Sequence, residues 1–99
     1  MISKLKTDLK LKDGTSYPKG TSVSISVHES RPTIALLNIG SREIKIRSLS
    51  LSKYFRGFEK FDHSEVMESS IPSLTGEMVE PDGWDCKGFP SMLLAAGMI

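Results

Sequence analysis

The sequence predicts a mainly β fold, with a small antiparallel barrel over residues 1–55 and a C-terminal extension, residues 56–99, containing one or two short helices. Three observations lead there. In the first half, apolar and polar residues alternate at period two, as a strand with one buried face requires. Turn signals built on Gly and Pro punctuate that half at intervals of about ten residues. The helical signals, by contrast, are short and fall after it. A chain of 99 residues fits one domain, because at this size folding buries about two thirds of the unfolded surface, enough for a single core.

The first element spans residues 4–12, where Leu5, Leu9 and Leu11 share one face and Lys4, Lys6, Lys10 and Lys12 the other. Asp13-Gly14 breaks the run, and Tyr17-Pro18-Lys19-Gly20 turns the chain again, since Pro fixes φ and Gly accepts a reversal. Val23, Ile25 and Val27 alternate with Ser22, Ser24, Ser26 and His28, making the clearest strand. Residues 33–39 are almost continuously apolar and predict a strand buried on both faces; Gly40-Ser41 then turns into residues 43–47, which expose Lys45 and Arg47. Residues 49–55 follow as a helical turn or a further strand. A closed barrel suits this rhythm because closure removes free sheet edges.

In the second half, Phe55, Phe58 and Phe61 recur at every third residue. Asp62, with Glu65 three residues on, marks a helix start. Met78-Val79 lies between two turns as a short strand. Residues 90–97 read as a two-turn helix, with Pro90 at its start and Gly97 as its cap.

The matching parts Asp13-Gly14, Pro18-Lys19-Gly20-Thr21 entering Val23-Ser24-Ile25-Ser26-Val27, two hairpin strands and a closing Leu51-Ser52-Lys53-Tyr54 resemble an SH3-like barrel of the bacterial kind. The resemblance covers about residues 3–55 and implies a binding scaffold for peptides, glycans or nucleic acid. The tract from Leu74 to Leu94 contains Thr75-Gly76, Val79-Glu80-Pro81-Asp82-Gly83 and Phe89-Pro90-Ser91. It is similar to the ending of small uncharacterised proteins carried by phages and mobile elements, with Met92 where that pattern has an aromatic. That likeness implies a phage context and brings no catalytic residue.

Charge is unevenly divided. Residues 1–61 hold twelve Lys or Arg against five Asp or Glu, and residues 62–99 hold one against seven. Such asymmetry bears on partners. Lys4, Lys6, Lys10 and Lys12, joined by Lys45 and Arg47 if their strands are neighbours, form a candidate surface for phosphates or another anionic partner; the same row suits a solvated face or a protected edge strand. Residues 53–61 interleave rings with cations, as single-stranded nucleic-acid binders do, and equally as a core plug would. Glu80, Asp82 and Asp85 surround Trp84, an anchor for a protein partner or a ring buried against the barrel. Cys86, the one cysteine, reads as a small, partly buried hydrophobe.

Other classes find no support in the residues. There is no Cys/His cluster for zinc, no calcium-loop spacing, no phosphate loop and no nucleophile elbow. No catalytic residue, metal or cofactor is therefore expected, and the chain reads as non-enzymatic. The longest apolar stretches, residues 34–37 and 92–96, are far short of the ~18 that span a bilayer, and Met1-Ile2-Ser3-Lys4 opens no signal segment, so a cytosolic protein is expected. The leading expectation is a phage accessory protein that binds and modulates a host protein or nucleoprotein complex, a defence complex such as a CRISPR effector among them. The alternative is a nucleic-acid-binding regulator using the basic strand face.

Overall fold

Val23 and Ile25 sit one residue either side of Ser24, and in an extended chain that spacing sends both inward; this is β4 (Ser22–Ser26), with its two apolar residues buried and its three serines exposed. The computed structural model describes residues 1–60 and 70–99. Around β4 it builds a four-stranded antiparallel sheet in the order β1 (Ile2–Lys4), β4, β5 (Ile34–Ile39), β6 (Arg42–Arg47). β5 and β6 pair residue for residue from Ile34 opposite Arg47 to Ile39 opposite Arg42. The two-residue turn between them has Gly40 at φ 61° and no positive φ at Ser41, the type II′ geometry whose twist matches that of the flanking strands.

The lysine-bearing segment is not one strand. β1 ends at Lys4, and the chain then bends away to form a separate hairpin, β2 (Leu9–Lys10) with β3 (Ser16–Tyr17). Local side chains take over the backbone there: Asp8 Oδ1 accepts the Lys19 N–H at 2.7 Å, and Asp13 Oδ1 accepts the Thr15 N–H at 2.9 Å. The inward positions nonetheless hold, with Leu5 and Leu9 buried and Leu11 half-buried. The hairpin tip is tied to the start of β6 by the exposed Asp13–Arg42 ion pair and by Arg42 Nη1 donating to Thr15 Oγ1.

The β5 segment is buried on one face only. Ala35 and Leu37 are fully enclosed, whereas Ile34 and Leu36 are half-exposed on the floor of a surface depression rimmed by His28 and Lys45. A continuous apolar run gave no sign that one side lacks a covering layer.

Hydrogen bonding among the described residues does not close the sheet into a barrel. After β6 the chain coils, as a 3₁₀ turn over Ser48–Ser50 and then α1 (Leu51–Tyr54). Only at Phe55 does it become extended (φ −134°, ψ 144°) and bridge Leu5. A coiled segment cannot offer a ladder of backbone groups to β1, so the return contact is a single bridge. The sheet is instead covered by packing. One hydrophobic cluster takes in Leu5, Ile25 and Leu37 from the sheet side, Phe55 and Phe58, and Ile71, Leu74 and Phe89 from the C-terminal part.

That part adds a hairpin, β7 (Ile71–Pro72) with β8 (Met78–Val79), and α2 (Met92–Ala95). The helix begins two residues later than its expected start. Ser91, not Pro90, is its cap, with Oγ accepting the Leu94 N–H at 3.2 Å and donating to the Pro81 carbonyl. Gly97 (φ 73°) terminates it as expected. The helix start at Asp62 and Glu65, together with Phe61, lies outside the described residues. No helix of the described residues is long and apolar enough to cross a membrane.

Phe58 touches Phe55 (ring centroids 6.4 Å apart) and Phe89 (5.1 Å), edge to face in both cases. It thus joins the returning chain to the C-terminal part. Phe58→Ala is expected to cost about 3–5 kcal/mol, read as a lower urea midpoint with an unchanged slope of the transition.

Candidate anion-binding face

The bridge between Leu5 and Phe55 organises the cations around it. Both residues are buried. Leu5 donates its N–H to the Thr21 carbonyl at 3.0 Å and accepts from Gly20 N–H at 2.8 Å, while the Lys6 N–H reaches the Tyr54 carbonyl at 2.8 Å. With Leu5 and Phe55 turned inward, their sequence neighbours Lys4, Lys6 and Arg56 are exposed, as alternation requires. The turn that brings Gly20 to Leu5 is held by Thr21 Oγ1 donating to the Pro18 carbonyl at 2.7 Å, and it presents Lys19 beside them.

Two depressions adjoin here. One, about 330 Å³, has Lys4, Lys6, Lys19 and Arg56 in its wall; the other, about 670 Å³, has Lys6, Lys53 and Lys60 over a floor that includes Leu49 and Phe58. Lys6 belongs to both. Six cations therefore line one face, and among the described residues no carboxylate lines either hollow. Two exposed acids lie close by and keep their charge. Asp8 holds the Lys19 N–H, and the Glu59 side chain packs against Gly76. The one ion pair among the described residues, Asp13–Arg42, is elsewhere; it holds the Asp13 carboxyl down to about 2, through the Arg42 hydrogen bond first and the Thr15 N–H second.

The expected basic row is thus redistributed. Lys4 and Lys6 join the face, while Lys10 and Lys12 ride on the β2–β3 hairpin side and line neither hollow. Lys45 and Arg47 lie on β6, the opposite edge of the sheet from β1, so the condition for their joining Lys4 and Lys6 is not met. Lys53, Arg56 and Lys60 come from the ring-and-cation tract, whose described rings are largely withdrawn: Tyr54 is half-buried with the Lys53 ammonium 5.6 Å from its centroid. Phe55 is fully enclosed and Phe58 is 9% exposed. Lys19 was not anticipated, because long-range hydrogen bonds, of Gly20 and Thr21 with Leu5 and of the Lys19 N–H with Asp8, carry it to this face.

The acidic loop is a structural unit. Glu80 and Asp82 are exposed, and Trp84 is half-buried, bridged to Pro90 and packed on the core. Asp85 is withdrawn to 7% exposure. Its carboxylate accepts from Ser73 Oγ (2.7 Å), Thr75 Oγ1 (2.6 Å), and the Lys87 and Phe89 N–H groups (both 2.9 Å). Burial alone pushes its pKa up, but these four donors outweigh burial and hold it below the usual carboxylate range. Cys86 is exposed rather than partly buried, because it sits at the apex of the turn closed by Gly88 N–H on the Asp85 carbonyl. Its Sγ lies 3.2 Å from Glu77 Oε2, and that hydrogen bond and negative charge push the thiol up.

His28 Nδ1 meets Ser30 Oγ at 2.7 Å, but the Ser30 N–H also donates to the same nitrogen, which makes the pair a local turn on exposed chain. Among the described residues no group of three His, Cys, Asp or Glu side chains is placed to hold a metal ion. Comparison of the chain with protein-family models, with curated proteins and with solved structures finds no match.

Asp85→Asn is expected to cost about 1–3 kcal/mol. A carboxylate whose folded pKa lies below its unfolded value stabilises fully above about pH 3.9 and loses that contribution as pH falls through the folded value. The gap in urea midpoint between wild type and Asp85→Asn should therefore be constant near neutrality and shrink in acid. For Cys86, alkylation at neutral pH should be slower than that of a free thiol, and Glu77→Gln should accelerate it.

Proposed function

We propose that this chain is a non-catalytic binding module of a phage accessory kind, which docks through its cationic face onto a host nucleoprotein complex and modulates it. The carrying observation is the gathering of six cations around Lys6 in the walls of the two hollows, with no carboxylate of the described residues among them. Each exposed cation can neutralise a phosphate and release a counterion, so a face of this kind is attractive to polyanions over long range.

An N-terminal strand, the Asp13-Gly14 turn, the β4–β5–β6 meander and a closing segment that returns to Leu5 follow one another in the order expected of an SH3-like barrel. Such scaffolds act by presenting surfaces, and the ligand is decided by the surface and not by the fold. The phage setting rests on the C-terminal tract from Leu74 to Leu94, and a host defence complex such as a CRISPR effector is a partner of the right kind, being rich in exposed phosphodiester. The bacterial cytosol is where that encounter would occur.

Capture from bacterial lysate with immobilised protein tests the reading. Wild type and Lys45→Glu/Arg47→Glu should retain the same partner, and Lys6→Glu/Arg56→Glu should lose most of it. Equal retention by all three, or no partner at any salt concentration, would count against the proposal.

A further inference from the structure

We infer that the ligand of the cationic face is a single-stranded nucleic acid, its backbone laid along the two adjoining hollows with Lys6 between them; this rests on the reading of that face as a polyanion site. The cations of the face stand in the walls of two concavities, of about 330 and 670 Å³, and not on a projecting element. A flexible strand can bend into a concave path and turn its bases between the lysines, toward Leu49, Ser50, Ser52 and Phe58 in the larger hollow. A stiff duplex cannot follow such a path.

A duplex reader has other requirements. Entry into a major groove takes an α-helix or a two-stranded ribbon. α1 and α2 have four residues each, about 6 Å of helix, too short to lie along a groove. The β2–β3 hairpin is a ribbon and carries Lys10, but it contributes no residue to either hollow. Duplex binding would therefore be led by Lys10 and Lys12, and single-strand binding by Lys6 and Arg56. The two modes are separable by mutation.

With Phe55 enclosed, Phe58 9% exposed and Tyr54 half-buried beside the Lys53 ammonium, the described rings offer little area for base stacking, and base identity is hardly read. Affinity then comes from phosphates, so binding is tolerant of sequence and steep in salt. For single strands the slope of log K against log salt is about −0.7 per phosphate neutralised, which for six cations sets a limit of about −4.

Fluorescence anisotropy on the full chain tests this with three probes: labelled oligo-dT of about 20 nucleotides, a duplex of the same length, and heparin as competitor. Oligo-dT should bind with a salt slope between about −2 and −4, and the duplex about fivefold or more weakly. Lys6→Glu/Arg56→Glu should weaken oligo-dT binding by about tenfold or more, Lys53→Glu/Lys60→Glu should do likewise, and Lys10→Glu/Lys12→Glu should change it less than about twofold. All these side chains are exposed, and the urea midpoint of each variant reports whether it folds. A duplex that binds as tightly as oligo-dT, or an equal loss in the Lys10/Lys12 variant, overturns the inference. If heparin binds through Lys6 and oligo-dT does not, the inference fails while the polyanion reading stands. If no probe binds, both fall.

Discussion

One backbone contact, Leu5 bridged to Phe55, decides how this protein meets solvent on one side. The two residues are far apart in sequence, and both are almost wholly enclosed. Burying a residue in extended chain commits its neighbours to the opposite direction. Lys4, Lys6 and Arg56 are therefore turned outward by the same packing that holds the two apolar side chains inside. A basic face here is a by-product of core geometry, and it persists for as long as the core does. Repulsion among the gathered cations opposes the arrangement, but exposed charges in water repel weakly, at about 1 kcal/mol for 4 Å, against about 1.5–3 kcal/mol for each large apolar side chain buried.

How much of this was legible in the chain follows from the range of each interaction. β4, the Gly40-Ser41 turn and the Gly97 helix end depend on residues within a few positions of one another, and all appear where alternation and turn chemistry put them. The break after Lys4 left one sign, the polar Thr7 at an inward position of the alternation, which Leu5 and Leu9 outweigh by keeping theirs on either side of it. The barrel expectation met a coiled segment over residues 48–54, where Ser48 is drawn in by its Oγ donating to the Pro32 carbonyl at 2.6 Å. Serine in such a place looks like surface in a sequence. The candidate site was legible in parts, as a lysine row and as a ring-and-cation tract. Their junction was not, since pairing between distant segments leaves no periodic trace.

The C-terminal part shows a different way of holding a small structure together. Its apolar residues, among them Ile71, Leu74 and Phe89, join the common cluster, but the loop connecting them is centred on a carboxylate. Asp85 collects two hydroxyls and two backbone N–H groups. A charge withdrawn from water is costly unless its lone pairs are satisfied, and here each oxygen has two donors. Such a hub constrains geometry more sharply than an apolar contact would, because every spoke has a direction. It also explains why a loop rich in acids holds one member out of reach of any partner.

β6 carries a consequence for behaviour at high concentration. It is an outer strand, six residues long, paired residue for residue on its inner side, with no proline or extra residue to blunt it. Strands of this kind are templates for fibre growth. Two copies meeting antiparallel in central register would set Arg42 against Arg47 on both sides of the contact, and like charges directly opposed are unfavourable. The guard is electrostatic and so is only as strong as the medium allows. Concentrated salt, which shortens the reach of every such repulsion, weakens the guard on this edge.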